Sequence, residues 1–247
     1  MNNVSAWGRT DPGLKRSRNE DSYAIDAEKR FFIIADGMGG HPGGDIASVT
    51  AIATANEFLA KALADNEITW PFGIDHSLPQ EINVIASAMR LANRRIFNES
   101  KGMGTTMVVM LLKNNKAHIC HVGDSRLYRV RNSAIEQLTE DHSLVTEEIK
   151  RGMITREQAR HYALRHVITR AIGTAGDVEC DCRVEEVRSG DIFLLCTDGL
   201  SGMLDDAAIL EAIMKDEGEE QTCERLVRRA NEKGGDDNIT VIVVRCT

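Results

Sequence analysis

Short apolar runs separated by turns constrain the fold of this chain more than any other feature. Six runs rich in Val, Ile, Leu and Phe have the length and composition of β-strands. They cover residues 30–35, 105–113, 116–123, 126–131, 191–197 and 238–245. Two connections turn on Asn114-Asn115 and Asn132-Ser133, pairs that favour two-residue hairpins because Asn tolerates positive φ. The middle of the chain is therefore predicted to be an antiparallel meander.

Periodic apolar residues predict helices before and after this meander. One helix follows Pro42, with Ile46, Val49, Ile52, Leu59 and Leu63 on one stripe, and another follows Pro79, with Ile82, Ile85, Met89 and Ile96. Two more helices are expected at 205–215 and 220–232. The charged segment at about 141–173 predicts short helices and has the character of an insertion. Antiparallel strands flanked by helices predict an α+β layered fold, and we expect one domain over residues 1–247.

Composition and charge exclude several classes of function. The formal net charge of −8 gives no long-range attraction to nucleic acid or anionic lipid, so we expect neither as a partner. The N-terminus lacks a basic segment followed by an apolar one, and no apolar run approaches the length of a membrane span. We therefore expect a soluble, cytoplasmic protein. Cys120 and Cys196 lie in apolar runs, where a buried reduced thiol is expected, and no cysteine pair has zinc-site spacing.

Four aspartates occupy the ends of apolar strands. Asp36 follows the run at 30–35, Asp124 and Asp198 follow later runs, and Asp237 precedes the last. A single Asp-Gly pair usually marks only a turn. Four carboxylates at one sheet edge would repel one another strongly, and a hard divalent cation such as Mg²⁺ or Mn²⁺ offsets that repulsion. Two such ions that share a carboxylate and a water generate a nucleophile near neutral pH, which predicts hydrolytic chemistry.

The glycine cluster near the N-terminus does not match a nucleotide-binding loop, whereas the basic cluster allows two interpretations. GMGGHPGG, at 37–44, has neither the spacing nor the lysine of a nucleotide-binding loop. Lys15, Arg16 and Arg18 precede Asn19-Glu20-Asp21, which is typical of a solvated turn. Alternatively, a guanidinium at this sheet edge would bind two phosphate oxygens beside the metal ions.

Six short motifs together identify a known family. They are RSRNED, ADGMGGH, MGTT, VGDSR, TDGL and GDDNIT. In their order and spacing they resemble the metal-dependent protein phosphatases (PPM), the type 2C serine/threonine phosphatases, and they look most like the compact bacterial members. The resemblance extends from about Asp11 to Val244.

The resemblance implies a four-layer αββα sandwich of two antiparallel sheets, with the metal cleft at one end. Asp36 is similar to the carboxylate that bridges two ions, and the Gly37 carbonyl to a ligand of the second. Asp198 and Asp237, in preference to Asp236, resemble ligands of the first ion. Asp21 matches a metal-water contact, and Asp124 with Asp198 resembles a third site. Whether Glu20 contacts a metal stays open.

The implied reaction is direct attack of a metal-bridged hydroxide on phosphoserine or phosphothreonine in proteins, with no covalent phosphoenzyme. Arg16 aligns with the phosphate-binding arginine, and Arg18 is the next candidate. The expected cofactors are two or three Mg²⁺ or Mn²⁺ ions, and the expected partners are phosphorylated proteins and a cognate serine/threonine kinase.

Two departures from the family pattern leave alternatives open. Met38 stands where eukaryotic members carry a histidine, so the general acid is unassigned among His41, His142, His161 and a metal-bound water. The insertion resembles the bacterial flap but has Tyr162 where many relatives have proline. Two other functions are weighed against a protein phosphatase: a silent phosphoprotein-binding module, which would normally have lost a site aspartate, and a phosphatase of small metabolites or nucleotides.

Overall fold

The chain folds into two antiparallel sheets and flanking helices. The structure is a computed structural model that describes residues 3–38, 43–64, 69–99, 102–155, 158, 162, 164, 166–215 and 217–247. The strands are β1 (Val4–Asp11), β2 (Asp21–Asp26), β3 (Phe31–Met38), β4 (Gly104–Thr105), β5 (Met107–Lys113), β6 (Lys116–Val122), β7 (Arg126–Arg131), β8 (Ala134–Gln137), β9 (Asp181–Glu186), β10 (Ile192–Cys196) and β11 (Ile239–Cys246). The helices are α1 (Gly44–Ala64), α2 (Gln80–Glu99), α3 (Leu144–Lys150), α4 (Asp198–Ser201), α5 (Asp206–Ile213) and α6 (Glu219–Glu232).

The sheets stack face to face between two helical layers. One sheet has the order β1-β11-β10-β7-β8, and the other has the order β2-β3-β5-β6-β9, with β4 paired to β3. Phe32 and Ile34 of β3 pack between the sheets, whereas Phe31 and Ile33 pack beneath α1 and α2. A strand buried on both faces is apolar at every position rather than at alternate ones, which explains the run FFII. The predicted four-layer αββα sandwich is confirmed.

Both predicted hairpin turns are confirmed. Asn114 and Asn115 have φ values of 53° and 56°, and Asn132 and Ser133 have φ values of 51° and 59°. Each pair connects strands in direct register, β5 to β6 and β7 to β8. Two consecutive positive φ values give the turn whose twist matches that of the adjoining strands.

The predicted apolar stripe of α1 is wrong at its first two residues. Ile46 and Val49 are 51% and 57% exposed. The buried face is formed mainly by small residues, among them Ala47, Ala51, Ala55 and Ala62, together with Ile52 and Leu59 of the predicted stripe. Alanine lets α1 approach its neighbours closely, so a pattern of large apolar residues does not locate this face. The stripe predicted for α2 is confirmed, since Ile82, Ile85, Met89 and Ile96 are all buried.

Cys120 also differs from its expected state. It lies opposite Cys182 across β6 and β9, and the two sulfurs form a disulfide rather than reduced thiols. No pattern in the sequence indicates this bond, because Cys182 is 62 residues away on a strand that the apolar runs did not reveal. Cys196 is free and buried, as expected.

The segment at 141–173 begins and ends close together. Leu144 N donates to Val167 O at 2.8 Å, and Thr169 N donates to His142 O at 2.9 Å. Ser143 caps α3, the short helix that begins the segment. Its role as a flap, and the single-domain organisation, stay predictions. Across the described parts of the chain, none of the helices combines the length and apolar character needed to cross a membrane.

Candidate metal centre

Five aspartates meet at one end of the two sheets. Asp21 begins β2 and lies directly opposite Asp36 of β3. Asp124 follows β6, Asp198 begins α4 directly after β10, and Asp237 lies just before β11. The strands β3, β6, β10 and β11 are almost wholly buried and β2 is half-buried, so the backbone fixes where the carboxylates project. The structure thus brings together the aspartates that the sequence analysis selected.

Asp21 is held by threonines from the other sheet. Its Oδ2 accepts hydrogen bonds from Thr197 Oγ1 at 2.8 Å and from Thr240 Oγ1 at 2.6 Å. Both threonines are fully buried. Because Thr197 immediately precedes Asp198, these contacts fix two acidic positions relative to each other.

The backbone of Asp36 is fixed by hydrogen bonds to Thr106. Asp36 N donates to Thr106 Oγ1 at 2.9 Å, and Thr106 N donates to Asp36 O at 2.8 Å. Thr106 Oγ1 also lies 2.7 Å from Ser125 Oγ. Thr106 therefore links the Asp36 strand end to the turn that carries Asp124.

Asn238 fastens the N-terminal loop to the same end of the sheets. Its Nδ2 donates to Pro12 O at 2.9 Å and to Arg18 O at 2.8 Å, while its Oδ1 accepts from Glu20 N at 2.8 Å. The loop so positioned carries Arg16.

The Arg16 guanidinium reaches the aspartate cluster from this loop. Arg16 Nη2 donates to Asp237 Oδ2 at 2.7 Å. Partial burial lowers the pKa of Arg16, but Asp237 outweighs it and the pKa is raised overall. The Arg16 side chain is 55% exposed, which leaves room for a ligand beside it. The structure therefore places Arg16 beside Asp237, whereas Asp236 is exposed.

Gly37 occupies a position that no side chain fits. A Cβ at Gly37 would lie 2.0 Å from Gly44 O and 2.6 Å from Glu20 O. Gly37 N donates to Glu20 O at 3.1 Å. The glycine therefore lets the strand end, the N-terminal loop and the start of α1 approach one another.

Burial and mutual repulsion raise the pKa values of the clustered carboxyls. Burial is the largest cause for Asp21, whose pKa is raised to about 8, and for Asp124, whose pKa is raised to about 7. The pKa of Asp36 is raised well above its ordinary range by burial, then by Asp21, Asp198 and Asp124. The pKa of Asp198 is raised by burial and by Asp237, although a hydrogen bond from Asp36 opposes this. Without a cation, the cluster therefore retains protons near neutral pH.

The donor set fits a hard divalent cation. Asp21 Oδ1, Asp124 Oδ1 and Asp198 Oδ1 are buried and accept no hydrogen bond from the residues that the structure describes. Leaving charged oxygens buried and unpaired is costly. Carboxylate oxygens with a nearby backbone carbonyl suit Mg²⁺ or Mn²⁺, whereas zinc prefers nitrogen and sulfur.

Comparison with known proteins identifies the family. The model of the family described as Protein phosphatase 2C matches residues 15–240. The chain belongs to the protein phosphatase 2C family. It is 36% identical over 243 residues to a serine/threonine phosphatase, stp, of Listeria innocua, covering 96% of this chain and 93% of the relative. It is therefore a metal-dependent serine/threonine protein phosphatase, which acts on phosphoproteins.

Solved structures support the same family fold. The phosphatase PstP/Ppp of Mycobacterium tuberculosis superposes with a TM-score of 0.86 at 34% identity, covering 98% of both chains. The catalytic domain of PstP in complex with two manganese ions gives a TM-score of 0.82 at 34% identity, covering 98% of this chain and 97% of that one.

The residues that support the aspartates of this phosphatase were not predicted from the sequence. Thr106, Thr197, Thr240 and Asn238 hold the site through hydrogen bonds. All four lie inside the motifs MGTT, TDGL and GDDNIT, so their position next to the aspartates in the sequence was the available signal. Their partners are distant in the chain, and only the tertiary structure shows them.

The histidines of this phosphatase are divided between the site and its surroundings. His166, which the sequence analysis did not select, is close enough to Asp198 for its charge to lower the Asp198 pKa. His142 lies behind the Asp124 turn, where its Nδ1 accepts from Gly123 N at 3.1 Å. His41 and His161, also considered as general acids, lie outside the described residues.

A second group of metal-binding residue types lies near the Asp124 turn. One potential ligand atom from each of His121, His142 and Asp181 falls within 4.8 Å of the others. His142 Nε2 is 3.4 Å from Asp181 Oδ2. The group combines two buried histidines with an exposed carboxylate, a donor set unlike that of the aspartate cluster.

Proposed function

We propose that this phosphatase hydrolyses phosphoserine and phosphothreonine in proteins by direct attack of water on phosphorus, and that it opposes a serine/threonine kinase. No covalent phosphoenzyme forms in this proposal. The observation that carries it is the cluster of five aspartates beside the half-exposed Arg16, in which three buried oxygens have no partner among the residues that the structure describes. A cytoplasmic location, expected from the sequence, remains part of the proposal.

The residues assigned to the ions are those that the resemblance to the family implies. Asp36 would hold two ions, and the charges of the other four aspartates all act on it. Asp198 and Asp237 would complete the first site, and the Gly37 carbonyl the second. Asp21 would act through a bound water. Asp124 and Asp198 would form a third site, and the charge of Asp198 contributes to the raised pKa of Asp124.

The chemistry divides between the ions and the protein. When bound, divalent ions lower the pKa of water so that it can attack phosphorus, and they neutralise phosphate charge. The aspartates fix the distance between the charges. Arg16 turns from Asp237 to the phosphate, where its guanidinium donates two hydrogen bonds to the nonbridging oxygens. The aspartates are thus in place before the phosphate arrives, and Arg16 is the group that moves to stabilise the transition state.

Hydrolysis of a phosphothreonine peptide tests the proposal. Turnover should require Mn²⁺ or Mg²⁺, stop in EDTA, and fall at least about 100-fold in the Asp237→Ala variant, since a lost ligand removes transition-state stabilisation. Asp236→Ala is the matched control, because this neighbouring carboxylate is exposed, and its turnover should match that of the unmodified protein. Equal losses in the two variants would contradict the assignment of Asp237.

The competing functions give different results in the same assay. A phosphatase of small molecules would hydrolyse nucleotides and sugar phosphates with higher kcat/KM than phosphopeptides. A silent binding module would bind phosphopeptide without releasing phosphate, even when folded and loaded with Mn²⁺. The intact set of aspartates favours turnover over silent binding.

A further inference from the structure

His142 holds the turn that precedes Asp124. Its Nδ1 accepts from Gly123 N at 3.1 Å, and its backbone N donates to Gly123 O at 2.9 Å. We propose that His142 is a positioning residue for Asp124, whose turn it fixes through the Nδ1 contact with the Gly123 amide. This inference rests on the proposed function, in which Asp124 holds a divalent ion.

The opposite side of the turn is packed against Thr106. A Cβ at Gly123 would lie 2.6 Å from Thr106 Cβ, and Gly123 has a φ of +102°. Ser125, directly after Asp124, contacts Thr106 Oγ1 at 2.7 Å. The Asp124 backbone is therefore held between Thr106 on one side and His142 on the other.

The surroundings of His142 fix its ring and its protonation. The ring stacks on His121 with centroids 4.8 Å apart. Arg170 donates to Asp181 Oδ1, and Asp181 Oδ2 lies 3.4 Å from His142 Nε2. Burial, then His121 and Arg170, lower the pKa of His142, although Asp181 opposes them. The neutral ring keeps a lone pair on Nδ1 for the Gly123 amide.

The same tautomer argues against a metal ion held by His121, His142 and Asp181. A neutral imidazole has one nitrogen lone pair, and in His142 that lone pair faces Gly123 N–H. Nε2 then carries the proton and points at Asp181, so it is unable to bind a metal. His121 Nε2 lies 2.8 Å from Glu140 O, which suits a ligand, but one histidine and one exposed carboxylate make an incomplete site.

Two variants separate the Nδ1 contact from the rest of the side chain. His142→Asn keeps an acceptor at nearly the position of Nδ1 but has no group at Nε2. His142→Leu keeps the bulk and removes the acceptor. The backbone bonds of residue 142, to Gly123 O and from Thr169 N, remain in both variants.

Amide hydrogen exchange in the full-length, metal-free protein tests the contact itself. The Gly123 amide should exchange about tenfold faster in His142→Leu, since one buried hydrogen bond is lost, and within about threefold of the unmodified protein in His142→Asn. If His142→Leu does not fold, His142→Gln replaces it. The glutamine amide is one methylene farther from the backbone than Nδ1 and does not place an acceptor at the Gly123 amide. An unchanged Gly123 amide in the variant without the acceptor would overturn the proposal.

Manganese titration tests the consequence for Asp124. In calorimetry, the weakest Mn²⁺ site should bind about tenfold less tightly in His142→Leu and be restored by His142→Asn, with the tighter sites unchanged. In an Asp124→Ala background, His142→Leu should weaken Mn²⁺ binding further by less than about twofold, because both changes act on the same ligand. Full additivity would overturn the proposal.

Further outcomes keep this inference separate from the proposed function. If the unmodified protein hydrolyses no phosphopeptide, the proposed function fails, while amide exchange and calorimetry still decide the role of His142. If Asp124→Ala protein binds a Zn²⁺ ion that both His142 variants abolish, His142 is a metal ligand and the positioning role is refuted.

Discussion

Asp21→Asn should stabilise the metal-free protein, although it alters the metal centre. Asp21 is buried, and burial followed by the charges of Asp198 and Asp237 raises its pKa from 3.8 to about 8, against the hydrogen bonds from Thr240 and Thr197. An unfolded chain at pH 7 ionises this carboxyl, whereas the folded protein keeps it mostly protonated. Because pH 7 lies about 3 pH units above the unfolded pKa and still below the folded one, keeping the proton costs folding about 4 kcal/mol at pH 7.

Asparagine removes this cost but introduces a smaller one. Its Oδ1 still accepts from Thr197 and Thr240, while its amide group replaces Asp21 Oδ1, which has no partner among the described residues. A buried donor without a partner costs about 1–3 kcal/mol. The net gain in unfolding free energy at pH 7 is therefore about 2 kcal/mol, or a rise in Tm of about 4–8 °C.

The pH dependence identifies charge as the cause. Because the folded-state pKa is raised, the cost of Asp21 is absent below the unfolded pKa of 3.8 and grows as the pH rises toward about 8. At pH 5 the cost is only about 2 kcal/mol, similar to the cost of the unpartnered amide, so the variant should be no more stable than the unmodified protein. Urea denaturation in EDTA at pH 5.0 and pH 7.5 measures both values.

A control at the other end of the same strand completes the test. Asp26 is bonded to Lys29 outside the cluster, so Asp26→Asn should change stability by less than about 1 kcal/mol at either pH. A destabilised Asp21→Asn protein at pH 7.5, or a gain equal at both pH values, would refute the argument from buried charge.

Three further predictions concern the arginine, the protons and the disulfide. Arg16→Ala should lower kcat/KM for a phosphopeptide about 10- to 100-fold, since a charged phosphate contact is lost. The control Arg9→Ala removes an exposed ion pair and should leave kcat/KM within about twofold. Equal effects of the two variants would contradict the role of Arg16. Mn²⁺ binding near pH 6.5 should release about one proton or more, because the pKa values of the buried Asp21 and Asp124 carboxyls are raised. Calorimetry in buffers of different ionisation enthalpy measures this release. Heats of binding that do not depend on the buffer would disprove it. Reductant should lower the unfolding free energy by up to about 4 kcal/mol in urea denaturation, because the Cys120–Cys182 bond joins residues 62 apart. A Cys120→Ala/Cys182→Ala variant should not respond to reductant. If the unmodified protein does not respond either, the bond does not form.

Strong local patterns were sufficient for the layers of the fold. Strands buried on both faces appear in the sequence as continuous apolar runs. The pairs Asn114-Asn115 and Asn132-Ser133, which tolerate positive φ, correctly predicted the β5–β6 and β7–β8 hairpins. Weak patterns were not sufficient. Exposed alternation in β1 and β9 and the alanine face of α1 gave no clear signal, because packing against distant neighbours defines them.

The same division holds at the metal centre. The sequence by itself determined which carboxylates stand at strand ends, because a buried strand forces polar residues to its tip. Only the tertiary structure decided how these carboxylates are held and protonated. Asp21 contacts Thr240, which is 219 residues away in the chain. Gly123 contacts His142, which is 19 residues away and lies beyond β7 and β8. Burial and charge repulsion depend on the whole assembled end of the two sheets, and no local stretch of sequence contains that environment.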